Sequence, residues 1–269
     1  MPTEECAVET LDGTHMPAVL AWPDQGAGPW PVAVVLGELF GLTDVQRDAA
    51  ERVATLGHVA IAPHLLHRRA PGGPLPEDEH GRARGLALVE ELTRLELLSD
   101  VRDALESART RPQADAAITP VAVGLSFGGH VAVLAASRLR LRACVALYAG
   151  WLAGTAIAAS RPQPTGSLPL IGPLLVLVGD TDPMVPSSDL DKLRRWHPDA
   201  DVVTYRGVGH RFASIGRPGY DADAAADAWS RVGVFLQNAA TPGQSDTPVQ
   251  GPLTDEQAPT NARAANLSP

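Results

Sequence analysis

Short runs of apolar, β-branched residues punctuate the chain at 18–22, 32–36, 59–62, 121–124, 144–147, 174–178 and 202–205. Between most of them lie longer stretches with helical spacing. One begins at Thr43, where Gln46 stands at the position of a capping-box partner and Val53 falls on the inner face. The others cover 82–98, 100–109, 128–137, 188–196 and 221–237. Continuous apolar strands alternating with helices predict a mostly parallel sheet covered on both faces. The first runs, around 6–22, read as an antiparallel hairpin entering that sheet. In such a sheet, chemistry belongs at the carboxyl ends of the strands, so the residues just after each run are the ones to inspect.

The pattern stops near Ala239. From there to Pro269 the chain has five prolines and no aromatic residue, too little apolar surface to offset the entropy of ordering. The expectation is a single domain over 1–238 and a disordered tail over 239–269. Composition then narrows the classes. Of 269 residues 45% are hydrophobic, which excludes a disordered chain, and no run approaches the roughly 20 apolar residues of a membrane span. The acidic start, 1–9, lacks the features of a signal peptide, so a cytoplasmic protein is expected. With 22 basic against 31 acidic residues the net charge is −9, which argues against nucleic acid as a partner. Two cysteines make no disulfide framework, and Cys144 reads as a small buried hydrophobe.

The run at 121–124 leads into Gly124-Leu125-Ser126-Phe127-Gly128-Gly129. This is G-x-S-x-G between a strand and a helix, where flanking glycines permit a tight turn that lifts the serine hydroxyl to the helix N-terminus. A serine nucleophile needs a base, and the base needs an orienting acid. Two strands downstream end in suitable groups: 174–178 in Gly179-Asp180-Thr181-Asp182-Pro183, and 202–205 in Gly207-Val208-Gly209-His210-Arg211-Phe212. Asp182, held in a proline-bounded loop, is preferred over Asp180, which suits the turn itself. His130, one helical turn past Ser126, is expected to pack away from the hydroxyl. His197 is expected to be solvated. His58, His64 and His67 flank the third run; His64 and His67 have metal spacing but no third ligand nearby, so no metal is expected. Glu38, after the run at 32–36, is costly to bury without a partner, and a structural pairing with a basic group would meet that cost.

Together these pieces resemble the dienelactone hydrolase family of α/β-hydrolases. The resemblance rests on Gly37-Glu38-x-Phe40-Gly41, the serine elbow, Gly179-x-x-Asp182-x-x-Val185-Pro186 and Gly209-His210-x-Phe212, and spans about residues 10–237. It implies an α/β-hydrolase fold with a mostly parallel central sheet and helices on both faces. It also implies Ser126 as nucleophile, Asp182 and His210 as triad partners, the backbone N–H groups of Leu39 and Phe127 as the oxyanion hole, and Glu38 as a carboxylate beside the nucleophile. No cofactor is implied. Well-known members carry cysteine where this chain has Ser126. A hydroxyl is far less acidic than a thiol and must lose its proton during attack, which assigns the base to His210 and leaves the role of Glu38 open. Members acting on dienelactone hold its carboxylate with arginines. One of those positions is Ser214 here, and the other falls near His80, close to Arg82 and Arg84. Arg211, Trp151 and His80 are therefore the candidate substrate contacts, with segment 150–170 as a lid or a loose surface loop. The expected substrate is a small ester or lactone, and the expected state a monomer or homodimer. A cyclase or acyltransferase with the same site, and a non-catalytic binding protein, remain as alternatives.

Overall fold

The computed structural model describes residues 1–239; the expected tail lies almost wholly outside the described residues. Eight strands form one sheet: β1 (Thr3–Glu9), β2 (His15–Ala21), β3 (Val32–Leu36), β4 (Val59–Pro63), β5 (Val121–Leu125), β6 (Ala143–Leu147), β7 (Leu174–Gly179) and β8 (Asp201–Tyr205). Their order is β1-β2-β4-β3-β5-β6-β7-β8. β1 pairs antiparallel with β2, and β2 antiparallel with β4; from β4 to β8 every pairing is parallel. The hairpin and the parallel sheet are those the hydrophobic pattern predicts. This is the α/β-hydrolase arrangement.

Six helices cover the sheet: α1 (Asp44–Thr55), α2 (Glu79–Glu91), α3 (Arg94–Arg109), α4 (Phe127–Ala136), α5 (Ser187–Trp196) and α6 (Ala222–Asn238). Strand alternation sorts the core into two layers. Val34, Leu36, Ile61, Ala122, Ala146 and Val176 face the side of α3, α4 and α5. Ala33, Val35, Ala60, Val123, Val145 and Leu175 face α1 and α6. β3 to β7 are buried throughout, because a parallel sheet with helices on both faces has no wet side. Among the described residues no helix is long and apolar enough to cross a membrane.

Two local expectations change. Thr43 caps α1 without a side-chain hydrogen bond. Gln46 is drawn inward instead, its Nε2 donating to the carbonyls of Val35 at 2.8 Å and Pro63 at 3.0 Å. Two buried carbonyls at the ends of β3 and β4 outbid a solvent-side cap. The helical stretch expected over 82–98 breaks near Leu92, and a new helix starts under a capping box. Thr93 accepts from the Glu96 N–H while the Glu96 carboxylate accepts from the Thr93 N–H. Thr93-x-x-Glu96 was the available signal for that boundary.

Burial lowers the ring pKa of His58, His67 and His130 from 6.5 to about 4. Each is thus neutral in the folded chain where an unfolded chain would already bind a proton. The unfolded state binds more protons across pH 6.5 to 4, so stability rises with pH there and is lost on acidification. Urea unfolding is expected to show this loss between pH 6.5 and 4, and His130→Gln to flatten the slope by up to about 1.4 kcal/mol per pH unit.

Candidate active site

The residues singled out by sequence lie on loops that leave adjacent strands at their carboxyl ends. Leu36 of β3 pairs with Gly124 of β5, which sets Glu38 and Leu39 beside the elbow. Backbone bonds continue the register beyond the strands. The Ser126 N–H donates to the Leu147 carbonyl at 3.0 Å, the Tyr148 N–H to Leu177 at 2.7 Å and the Asp180 N–H to Tyr205 at 2.9 Å, and the Thr181 N–H reaches the Val208 carbonyl in the following loop at 3.0 Å. The elbow, the ends of β6 and β7, and the loop carrying His210 are thereby stitched into one edge.

Ser126 has φ 54° and ψ −116°, a conformation that costs a non-glycine residue about 1–3 kcal/mol. The flanking glycines make it possible: a Cβ on Gly124 would overlap the backbone of Gly128, and one on Gly128 would overlap the carbonyls of Leu36 and Gly37. Non-glycine residues with positive φ also include Tyr148, Trp151 and Arg211, all on this same edge.

Ser126 Oγ lies 3.0 Å from His210 Nε2, and His210 Nδ1 lies 2.7 Å from Asp182 Oδ2. A carboxylate only accepts, so Nδ1 carries the proton and Nε2 is free to accept from the serine hydroxyl. The Asp182 side chain is fully buried, and its Oδ1 accepts from the Met184 N–H at 2.8 Å. Asp180 faces outward and accepts from the Gly207 N–H at 2.6 Å, a turn contact. Leu39 and Phe127 are buried, with Phe127 the first residue of α4, where helical N–H groups have no partner within the helix.

Glu38 is buried and paired. Arg211 Nε donates to its Oε1 at 3.1 Å, and Arg211 Nη2 approaches Oε2 at 2.7 Å. Burial raises the Glu38 carboxyl above its ordinary range, and the guanidinium opposes that shift. Ser214 Oγ lies 3.3 Å from Glu38 Oε1 and 2.9 Å from the Tyr148 hydroxyl. The Tyr148 ring is fully buried and meets His210 edge-on, with centroids 5.2 Å apart. Sequence reasoning missed Tyr148; an aromatic immediately after a strand was its only trace. It also missed Glu77, which pairs with both Arg211 and Arg217.

The other candidates sort themselves by position. His80 is exposed in the first turn of α2; Glu77, just ahead of that helix, is the residue of the region that reaches Arg211. Trp151 is half-buried and lines a small apolar hollow with Leu152, Met184, Val185, Leu190 and Leu193. Segment 150–170 is fastened rather than loose. Thr165 Oγ1 lies 2.9 Å from Nε2 of the fully buried His130, and Arg94 donates to the carbonyls of Ala159 at 2.7 Å and Gln163 at 2.6 Å. His197, expected in solvent, is half-buried with Nε2 2.8 Å from the Gly166 carbonyl. His64 and His67 spend their ring nitrogens on protein partners: His64 on the Leu42 N–H and the Ala70 carbonyl, His67 on the His64 carbonyl and Thr14. Among the described residues, no three metal-ligating side chains converge.

A family model for the dienelactone hydrolase family matches residues 16–240. The chain belongs to the dienelactone hydrolase family. It is 33% identical over 227 residues to an Escherichia coli K12 protein named "Putative carboxymethylenebutenolidase", covering 82% of this chain and 81% of that one. Its identity to the carboxymethylenebutenolidase of Pseudomonas putida is 28% over 241 residues, covering 88% and 97%. Among solved structures, a dienelactone hydrolase homologue from Klebsiella pneumoniae superposes with a TM-score of 0.77 at 26% identity, covering 88% of this chain and 98% of that one.

The elbow yields a direct test. Gly128→Ala places a methyl group against the β3 carbonyls, so the turn must open. Thermal unfolding is expected to show a loss of roughly 3 kcal/mol or more, with ester turnover falling in parallel.

Proposed function

We propose that this member of the dienelactone hydrolase family is a serine hydrolase that cleaves an ester or lactone of a small organic molecule through an acyl-enzyme. Family membership makes it a hydrolase of carboxylic esters or lactones. The observation that carries the serine mechanism is the continuous chain Ser126 Oγ, His210 and Asp182, with contacts of 3.0 and 2.7 Å.

Ser126 Oγ attacks the substrate carbonyl as its proton passes to His210 Nε2. The imidazolium so formed is stabilised by the Asp182 carboxylate, which also fixes the tautomer. The carbonyl oxygen becomes an oxyanion, which the Leu39 and Phe127 N–H groups are read to receive; losing one such donor costs about 3–4 kcal/mol of transition-state stabilisation. The tetrahedral adduct collapses, the carbonyl carbon to alkoxide bond breaks, and His210 returns the proton to the departing oxygen. Water, deprotonated by the same imidazole, then attacks the acyl carbon and releases Ser126. In this scheme the base is His210, which contacts Ser126 directly, and Glu38, bonded to Arg211, supports the loop. Substrate is taken up without a cofactor in this scheme. The reading also expects a cytoplasmic enzyme.

Ser126→Ala is expected to abolish turnover of a p-nitrophenyl ester and covalent labelling by a fluorophosphonate. Asp182→Asn should retain the fold and lower kcat by about 10⁴-fold, since the imidazole then adopts the wrong tautomer. Labelling that persists in Ser126→Ala would remove the serine from its role.

A further inference from the structure

Arg211 follows the histidine of the site, and at φ 64° its backbone is left-handed. Its guanidinium lies over the Phe40 ring, 5.4 Å from the centroid, and meets two carboxylates. Glu38 takes Nε and Nη2 from the β3 loop, and Glu77 takes Nη2 from the loop before α2. Glu77 is held in turn by Arg217, whose Nε and Nη2 donate to its Oε2 at 2.9 Å and its Oε1 at 2.7 Å. The loop carrying Glu77 is tied to the oxyanion loop, since the Leu75 N–H donates to the Phe40 carbonyl at 2.8 Å. The side chains of Glu38, Glu77 and Arg211 are at most 16% exposed, so their charges are poorly screened by water.

An arginine placed next to a catalytic histidine would ordinarily attract an anionic substrate. Here Glu38 and Glu77 engage its Nε and Nη2, and their charges compensate the guanidinium. The cluster has two carboxylates and two guanidiniums and carries no net charge. An incoming carboxylate would meet the negative charge of Glu38 and Glu77 already gathered around that guanidinium. Burial raises the Glu77 carboxyl, but its hydrogen bonds to Arg217 and Arg211 outweigh that and hold it below the ordinary range, so it stays ionised at neutral pH.

We propose that Glu77 is a specificity-determining residue: by neutralising Arg211 it makes this a site for uncharged esters and lactones and turns away those bearing a carboxylate. The proposal rests on the serine-hydrolase reading. Removing the Glu77 charge leaves one excess positive charge beside His210, and the selectivity should change with it.

The test compares kcat/KM for p-nitrophenyl butyrate with that for mono-p-nitrophenyl succinate, an anionic ester of similar length. The wild-type enzyme is expected to favour the neutral ester by about tenfold or more. Glu77→Gln should shift the anionic-to-neutral ratio upward by about tenfold or more, and added salt should shrink the gain; Glu77→Asp should keep the wild-type ratio. A ratio in Glu77→Gln within about twofold of wild type, in protein that labels with fluorophosphonate, overturns the role of Glu77 and leaves the serine mechanism standing. Wild-type protein that does not label at Ser126 overturns both. Should Glu77→Gln fail to fold, the wild-type pair decides: preference for the succinate ester overturns the proposal, and preference for the butyrate supports it.

Discussion

The Ser126 amide donates to the Leu147 carbonyl one residue past the end of β5, and the Tyr148 and Asp180 amides make equivalent bonds, to Leu177 and Tyr205, one and two strands further along. Everything at the site hangs from this continuation of the parallel register. A parallel ladder delivers each carboxyl end to the same edge, and these extra bonds fix the height at which each loop departs. A serine, a histidine and an aspartate from three loops then meet within hydrogen-bond reach without a long side chain having to search for its partner. The strain in Ser126 is tolerated because the surrounding backbone over-determines it: glycines on both sides let β5, α4 and the β3 loop approach more closely than any Cβ would permit.

Electrostatics divides the edge into two parts. On one side Asp182, fully buried, gives its oxygens to His210 and to the Met184 amide. On the other, Glu38, Arg211, Glu77 and Arg217 compose a linear series of ion pairs. The two parts meet at adjacent residues, His210 and Arg211. Tyr148 and Ser214 link them, the tyrosine ring against the imidazole and the serine between the tyrosine hydroxyl and Glu38. Burying so many polar groups is tolerable only because nearly every one has a partner. Trp151 and Leu152 of segment 150–170 line an apolar hollow with Met184 and Val185, and the segment is fastened to α4 through Thr165 on His130.

Much of this was legible in the sequence, and the reason is periodicity. A strand buried on both faces writes a continuous apolar run, a covering helix writes a 3.6-residue stripe, and a strained turn writes its glycines. The order of strands, the elbow and the residues Ser126, Asp182 and His210 follow from local rules of that kind. Preferring Asp182 to Asp180 needed only the chemistry of proline-bounded loops. Where local rules failed, a buried partner won: Gln46 left its capping position for two carbonyls, and His197 left solvent for the Gly166 carbonyl.

What the sequence by itself determined is the set of elements and the candidate residues Ser126, Asp182 and His210 that the sheet edge brings together, since both are written in spacings of a few residues. What only the tertiary structure decided is charge pairing. Arg211 reads as a substrate ligand until Glu38, 173 positions away, and Glu77, 134 positions away, are seen to take its guanidinium. Tyr148 reads as an ordinary aromatic after a strand until its ring is found against His210. Long-range ion pairs and ring contacts carry no periodic signature, because they are set by where a closed sheet edge brings unrelated loops together. The same edge that makes the serine elbow predictable therefore hides the groups that surround it.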